Sequence, residues 1–463
     1  MTDKNNLALD YSSKWLEIIK NNEDPSTNQA DWMIKESVNN FKNHFNAWWL
    51  DYRKSVTLAD YCWLIPGECV AVEWKWNWAI FQDILWREYI DWLGWYWMMS
   101  HGWSNPDVVA AVQAQLLHTP MPSQELIDPL RWVLARIIAD ITPGDLKYSF
   151  FAWSWTEANE WAIKLAKMYT KKNWFIVAVK WFHWKTMGAL SLIWKKDYRE
   201  PVWQLYWGPV FHVPFGDAEA VEKQLEICDT VWIWIAAVMM EPVQWEAGAI
   251  VPPDDFWPRI RAATKKHWVL LIADEVQTWL WRTGKLWWVD HWNVVPDIMT
   301  MAKALWWWVM PISAFVSTEE IWQSMMSPNP FIHTTTTWWW ALACSAAIAA
   351  INVALRDDYA WMAEAKWKYL MNRLIPLVKK YPEIYKNISW KGLLIWQHFQ
   401  SADIWYRVTS ELFKNWLLIA WTLNSSITSR IEPPIVITYE QLDKWIQILE
   451  KVLEKVSRDI KNI

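Results

Sequence analysis

Glycine is scarce in this chain: 10 of 463 residues, where ordinary usage of about 7% would give roughly 32. Cysteine is nearly absent too. The four thiols, Cys62, Cys69, Cys228 and Cys344, show no metal-ligand or redox spacing, which leaves out a disulfide framework and fits a reducing compartment. Net charge is −5 with a pI near 6.0, so no basic face is set aside for nucleic acid. The longest apolar run, around Trp338 to Ile351, is interrupted by Ser345 and too short for a bilayer. The first residues lack the apolar core of a secretory signal. A cytoplasmic protein with no membrane segment is the expectation.

What is abundant is tryptophan, 48 residues. It stands where a turn or a close backbone approach wants no side chain: at Trp279 and Trp281 beside Arg282-Thr283-Gly284, at Trp306–Trp308, and at Trp338–Trp340.

At this length the chain can hold about two or three domains. Residues 1 to about 55 are polar and helix-like. Alternation between Cys69 and Trp92 predicts a small antiparallel sheet. Pro106–Leu117 reads as a helix. From about 126 to 345 helices and strands alternate: helix Leu126–Ile141, strand Lys147–Ala152, helix Thr156–Tyr169, strand Phe175–Val179. Ile235–Met240 and Val269–Ala273 are continuous apolar runs of the buried parallel kind. This predicts an α/β sheet with helices on both faces. After 345 come a long helix (Leu342–Leu355, then Tyr359–Lys380), a strand near Leu393–His398 and a final helix from Tyr439. The division expected is 1–95, a segment packing with the small domain; 96–345, a large α/β domain; and 346–463, a smaller α+β domain.

Several stretches carry chemistry. Asp274 ends an apolar run and Lys303 lies alone inside a second one. A carboxylate at the end of a buried strand can hold a pyridinium nitrogen, and a desolvated lysine can form a Schiff base. Ser154 with Glu157 has capping-box spacing, so the N–H groups of Trp155 and Thr156 open an anion site at a helix start. Phe182-His183 follows a strand and could stack on a ring or simply fill core. Glu241 and Glu246 close the next strand; taken singly, such acids read as solvated. His333 to Thr337 offers hydroxyls to a phosphate. Arg430 could fork onto a substrate carboxylate or make a plain surface salt bridge.

Taken in order, these motifs resemble the class III aminotransferases of pyridoxal-phosphate fold type I, over about residues 50 to 450. The likeness is strongest to the putrescine aminotransferase group, through Asp51–Val56, Ser123–Arg131, Leu146–Phe151, His212–Gly216 and Thr422–Asn424. The resemblance implies a large domain built on a mostly parallel seven-stranded sheet, with pyridoxal phosphate as cofactor. Under it Lys303 would be the Schiff-base lysine and proton shuttle, and Asp274 would keep the pyridine nitrogen protonated. Gln277 would bond the ring's 3-oxygen and Phe182 would stack on its face. Trp155 and Thr156 would offer backbone to the phosphate, and Thr336 would reach the phosphate of a neighbouring subunit, which implies a homodimer with the active site at the subunit interface. Arg430 would bind the distal carboxylate of 2-oxoglutarate, with Glu246 as the switch carboxylate that pairs with it while a diamine is bound. No metal is implied. The activity implied is transfer of an amino group from a diamine such as putrescine to 2-oxoglutarate. Acetylornithine, ornithine or another ω-amino acid is the alternative donor.

The chain departs from that family in one direction. Tryptophan replaces expected glycine at Trp95, Trp97, Trp155, Trp184, Trp245, Trp279, Trp281, Trp306–Trp308, Trp338 and Trp339. Indole tolerates neither positive φ nor close backbone approach, and dozens of such replacements exceed a stability of about 5–15 kcal/mol. Two expectations follow. Either most of these positions are glycine in the living protein, with UGA codons read as glycine, or the tryptophans are real and the chain is an inactive dimeric scaffold.

Overall fold

A computed structural model describes residues 3–20, 24–44, 73–94, 98–123, 126–183, 185–200, 202, 209–248, 250–279, 284–307, 309–327, 329, 332–334, 341–421, 425 and 427–461. The chain divides into two compact units: residues 1–75 with 81–88, and residues 76–80 with 89–463. The first unit carries helices Asp3–Lys20 and Thr27–His44. Short strands β1 (Glu73–Asn77), β2 (Ile80–Asp83) and β3 (Glu88–Trp92) cross the division along the sequence.

The second unit contains a seven-stranded sheet made of β4 (Tyr148–Ala152), β5 (Trp174–Ala178), β6 (Val210–Val213), β7 (Ile235–Met240), β8 (Leu270–Asp274), β9 (Ile298–Met301) and β10 (Ser313–Ser317). Its order is β4-β10-β9-β8-β7-β5-β6. All neighbours are parallel except β10, which runs against both β4 and β9. This is the mostly parallel α/β sheet expected. Its central strands are buried along their whole length because helices cover both faces. One face packs on Leu134, Ile138, Val221, Leu225 and Ile260, the other on Ala162, Leu165 and Ala166 of the helix Trp155–Thr170.

Local chemistry sets the element ends. The helix expected from Leu126 begins instead at Pro129: Asp128 caps it by accepting the Leu130 N–H, and proline belongs in a first turn. The helix Trp155–Thr170 starts with the anticipated capping box between Ser154 and Glu157.

Within the second unit, β11 (Tyr385–Trp390), β12 (Ile395–Phe399), β13 (Leu417–Trp421) and β14 (Thr428–Ile431) form a separate sheet with β3, in the order β3-β13-β14-β12-β11. Arg430 lies on β14, between Trp396 of β12 and Ala420 of β13. The loop after β7 packs on this sheet through Val243, Trp245, Leu394 and Trp396. Among the described residues no helix is long and apolar enough to cross a membrane.

Left-handed backbone is unusually common. Eleven non-glycine residues have positive φ among those described, and six are tryptophan: Trp78, Trp86, Trp232, Trp268, Trp307 and Trp416. Each such residue costs roughly 1–2 kcal/mol relative to right-handed backbone.

Candidate active site

Parallel strands deliver their C-terminal ends to one edge of a sheet, and in open α/β sheets ligands bind along that edge. Here it collects Phe182 after β5, Glu241 after β7, Asp274 as the last residue of β8 and Lys303 just past β9. Because β4 points the same way as β9, the helix start at Trp155 joins them.

Asp274 is buried, and its register opposite Thr300 fixes it beside β9. Its carboxylate accepts from the Trp155 indole N–H at 3.1 and 2.9 Å, from Asn159 Nδ2 at 2.9 Å and from the Val276 N–H at 3.2 Å. Burial still pushes its pKa up to about 6, against the lowering effect of those donors. Asn159 is itself oriented by the Thr300 hydroxyl, which donates to its amide oxygen at 2.9 Å.

Lys303 is buried and left-handed, with φ +49°. Its amine lies 4.4 Å from the centroid of the Trp155 ring. Burial, then the positive charge of Arg430, brings its pKa down to about 7; Glu246, Glu432 and Asp274 oppose the shift. The indole of Trp155 therefore reaches from Asp274 to Lys303, packed against Phe182, Val276 and Ala302. Gln277 is buried at the same end, and neither amide atom has a hydrogen-bond partner among the described residues.

At the phosphate turn the capping box engages the Glu157 N–H. The N–H groups of Trp155 and Thr156 belong to the first turn, which has no intrahelical acceptors for them. The Thr156 hydroxyl lies 2.6 Å from that of Thr186, which donates to Glu160. Thr336, expected at the phosphate from a second subunit, lies outside the described residues, as do Trp184, Trp281, Trp308, Trp338 and Trp339.

The two acids after β7 are buried rather than solvated, because the loop carrying them is pinned between two sheets. The Glu246 carboxylate lies 3.2 Å from Arg430, and Glu432 lies 3.6 Å from it on the other side. Arg430 is fully buried, which sets aside the surface salt bridge. Glu241 is held well above the usual carboxylate range, chiefly by burial and then by Asp274 and Glu246. Sequence reading missed Asn159 and its partner Thr300. The available signal was an amide on the buried stripe of a helix, between Ala158 and Ala162.

A buried carboxylate facing a buried, easily deprotonated amine, with a bare amide beside them, is the polar set of an enzyme built for a pyridine-ring cofactor. Residues 75–453 match the family Aminotransferase class-III. The chain is 42% identical to the putrescine aminotransferase of Pectobacterium atrosepticum over 427 residues, covering 91% of this chain and 89% of that protein. The structure resembles the ornithine aminotransferase of Toxoplasma gondii (TM-score 0.78, 26% identity, covering 87% of this chain and 95% of that one). It also resembles the acetylornithine aminotransferase of Elizabethkingia anophelis (TM-score 0.71, 26% identity, 84% and 95%). The chain belongs to the class III aminotransferases, which are pyridoxal-phosphate enzymes of fold type I.

Asp274, Lys303, Gln277 and the N–H groups of the helix start suit that cofactor. The Trp155 indole does not: it bonds to the carboxylate and lies against the amine that the ring would need.

Proposed function

We propose that this enzyme moves an amino group from a diamine, putrescine or a near relative, to 2-oxoglutarate, yielding an amino-aldehyde and glutamate. The buried pair of Glu246 and Arg430 carries the reading, supported by the name of the Pectobacterium relative. A diamine brings no carboxylate, so a lone buried guanidinium would repel it; Glu246 beside Arg430 cancels that charge. When 2-oxoglutarate enters, Glu246 moves aside and Arg430 takes the distal carboxylate in a bidentate fork.

Pyridoxal phosphate supplies an electron sink next to the amine carbon. The chain's own groups have distinct tasks. Asp274 would hold a cationic ring nitrogen, and a positive partner would keep its carboxylate ionised despite burial. Lys303, with its pKa near 7, can take and return a proton at Nζ close to neutrality. Gln277 and Phe182 would help hold the ring, and the helix start at residues 155 and 156 would receive the phosphate. Residues 96–345 form the cofactor-binding part and 346–463 the smaller domain. The working form is a cytoplasmic homodimer in which Thr336 of one subunit serves the other.

Steady-state rates with putrescine, cadaverine and ornithine as donors to 2-oxoglutarate test the substrate. Turnover of ornithine without either diamine would replace this reading with the ornithine one, to which the Toxoplasma neighbour belongs by name.

A further inference from the structure

We infer that residue 155 of the expressed protein is glycine, that Trp78, Trp86, Trp232, Trp268, Trp307 and Trp416 are glycine as well, and that the gene specifies all seven by UGA. The space filled by the Trp155 indole is then the seat of the cofactor ring.

The left-handed backbone conflicts with tryptophan whatever the relatives carry. Three of these tryptophans stand one residue beyond a helix C-cap. Trp232 follows the cap Val231 of Ala218–Thr230, Trp268 follows His267 of Phe256–Lys266, and Trp416 follows Asn415 of Ala402–Lys414. That position takes a left-handed residue, most often glycine, when the chain closes a Schellman motif. Both closing bonds are present at Trp232 and Trp268, and at Trp416 its own N–H donates to Phe413 O at 2.9 Å. Ile233 N–H donates to Cys228 O at 2.8 Å and Trp232 N–H to Asp229 O at 3.4 Å. Val269 N–H donates to Thr264 O at 2.9 Å and Trp268 N–H to Lys265 O at 3.4 Å. The φ values of the three are +60°, +55° and +64°. Two of the indoles contribute nothing to packing, being 79% and 87% exposed at Trp232 and Trp268.

Trp86 has φ +66° in the turn after Asp83, whose carbonyl accepts its N–H. Trp78 and Trp307 have φ +52° and +45°. Tryptophan thus holds six of the eleven left-handed non-glycine positions described, though it supplies only 48 of 463 residues. Seven of the eight glycines described are also left-handed. The two residue types share one backbone niche, as expected if one residue is being written in two ways.

Five of the buried indoles agree, while those of Trp279, Trp287 and Trp307 do find acceptors in Ala302 O, Ile141 O and His101 Nδ1. The ring N–H groups of Trp92, Trp181, Trp288, Trp396 and Trp445 have no hydrogen-bond acceptor among the described residues, whereas a native buried indole usually finds one. At residue 155 the conflict becomes functional, because the indole N–H occupies Asp274 and the ring covers the Lys303 amine. Random substitution would yield many products; a codon read as tryptophan in place of glycine yields one, and leaves glycines of other codons intact.

The assignment of residue 155 rests on the cofactor reading above; the other six positions rest on backbone alone. Mass spectrometry of peptides from protein purified from its source decides the residue identities, with the gene's codons read alongside. Glycine at the seven positions over UGA codons is expected. Tryptophan in the native peptide at 155, or UGG codons at the left-handed positions, overturns the inference. A chain made with glycine at all UGA positions should take up pyridoxal phosphate, seen as a visible absorption band lost in Lys303→Ala, and Gly restored to Trp at 155 alone should reduce uptake at least tenfold. Equal uptake by both chains overturns the ring-site assignment. Uptake without diamine turnover would sink the substrate proposal and leave this one standing.

Discussion

The Glu246 carboxylate and the Arg430 guanidinium are 3.2 Å apart and both buried, Glu246 on the loop after β7 of one sheet and Arg430 on β14 of the other. Glu432 stands 3.6 Å from the same guanidinium, so removing Glu246 does not leave it wholly without an anion. Glu246→Gln should therefore slow the diamine half-reaction about 10- to 100-fold, a cost of about 1.4–2.8 kcal/mol, less than the loss for a fully orphaned buried charge. The 2-oxoglutarate half-reaction should be little changed. Single-turnover rates measured separately for the two halves check this, and equal slowing of both would contradict the switch.

Lys303 makes stability depend on pH in a defined window. Below pH 7 its ammonium is charged in both the folded and unfolded chain, and the full penalty of burying that charge applies. Between about 7 and its ordinary 10.5 the folded chain has lost the proton while the unfolded chain keeps it, so stability climbs with pH. Lys303→Met carries no such penalty. The variant should be more stable than its parent at neutral pH, by a margin that shrinks toward pH 10. Urea denaturation at pH 6.5, 8 and 9.5 follows the margin; a constant one would mean the lysine is not desolvated.

Asn159 should act on Asp274 without touching the reacting groups. Asn159→Leu removes a donor at 2.9 Å and leaves the Thr300 hydroxyl without its acceptor. The carboxyl of Asp274 should then titrate higher than its present value near 6, because a donor that lowers it is gone, and the fold should lose roughly 1–3 kcal/mol. The infrared carboxyl band, followed against pH, reads the first effect directly.

The backbone at residue 303 separates strain from chemistry. On the proposed role of Lys303, both Lys303→Gly and Lys303→Ala should abolish transamination, but only glycine is at ease with φ +49°. Lys303→Gly should be the more stable by about 1 kcal/mol, a difference thermal melts of the two variants would resolve. Identical melting would mean the loop relaxes once the lysine is gone.

Sequence made the centre of the sheet readable because β7 and β8 are unbroken apolar runs, and Asp274 is the residue that breaks the second. It did not reveal β9, whose four residues include Thr300, a polar side chain that serves Asn159 rather than water. The acids at 241 and 246 and the arginine at 430 were visible as residues, but their burial was not: it arises where the loop of one sheet meets another, a contact between residues roughly 150–190 positions apart that no local pattern encodes. Family likeness, rather than periodicity, brought Arg430 and Glu246 together. The left-handed tryptophans show the reverse case, where backbone geometry identifies a residue that the written letters misstate.

Asp274 ends one strand and Lys303 lies just past the adjacent parallel strand of the same sheet, whereas Glu246 and Arg430 face each other across a seam. In the proposed reaction the bond-making machinery is thus insulated from movement at that seam, and the proposed discriminating pair is not. A slip of an ångström between the two sheets would leave the reaction competent but blur its choice of partner. Evolution could retune which amines are accepted by substitutions far from the catalytic lysine, wherever they shift how one sheet leans on the other.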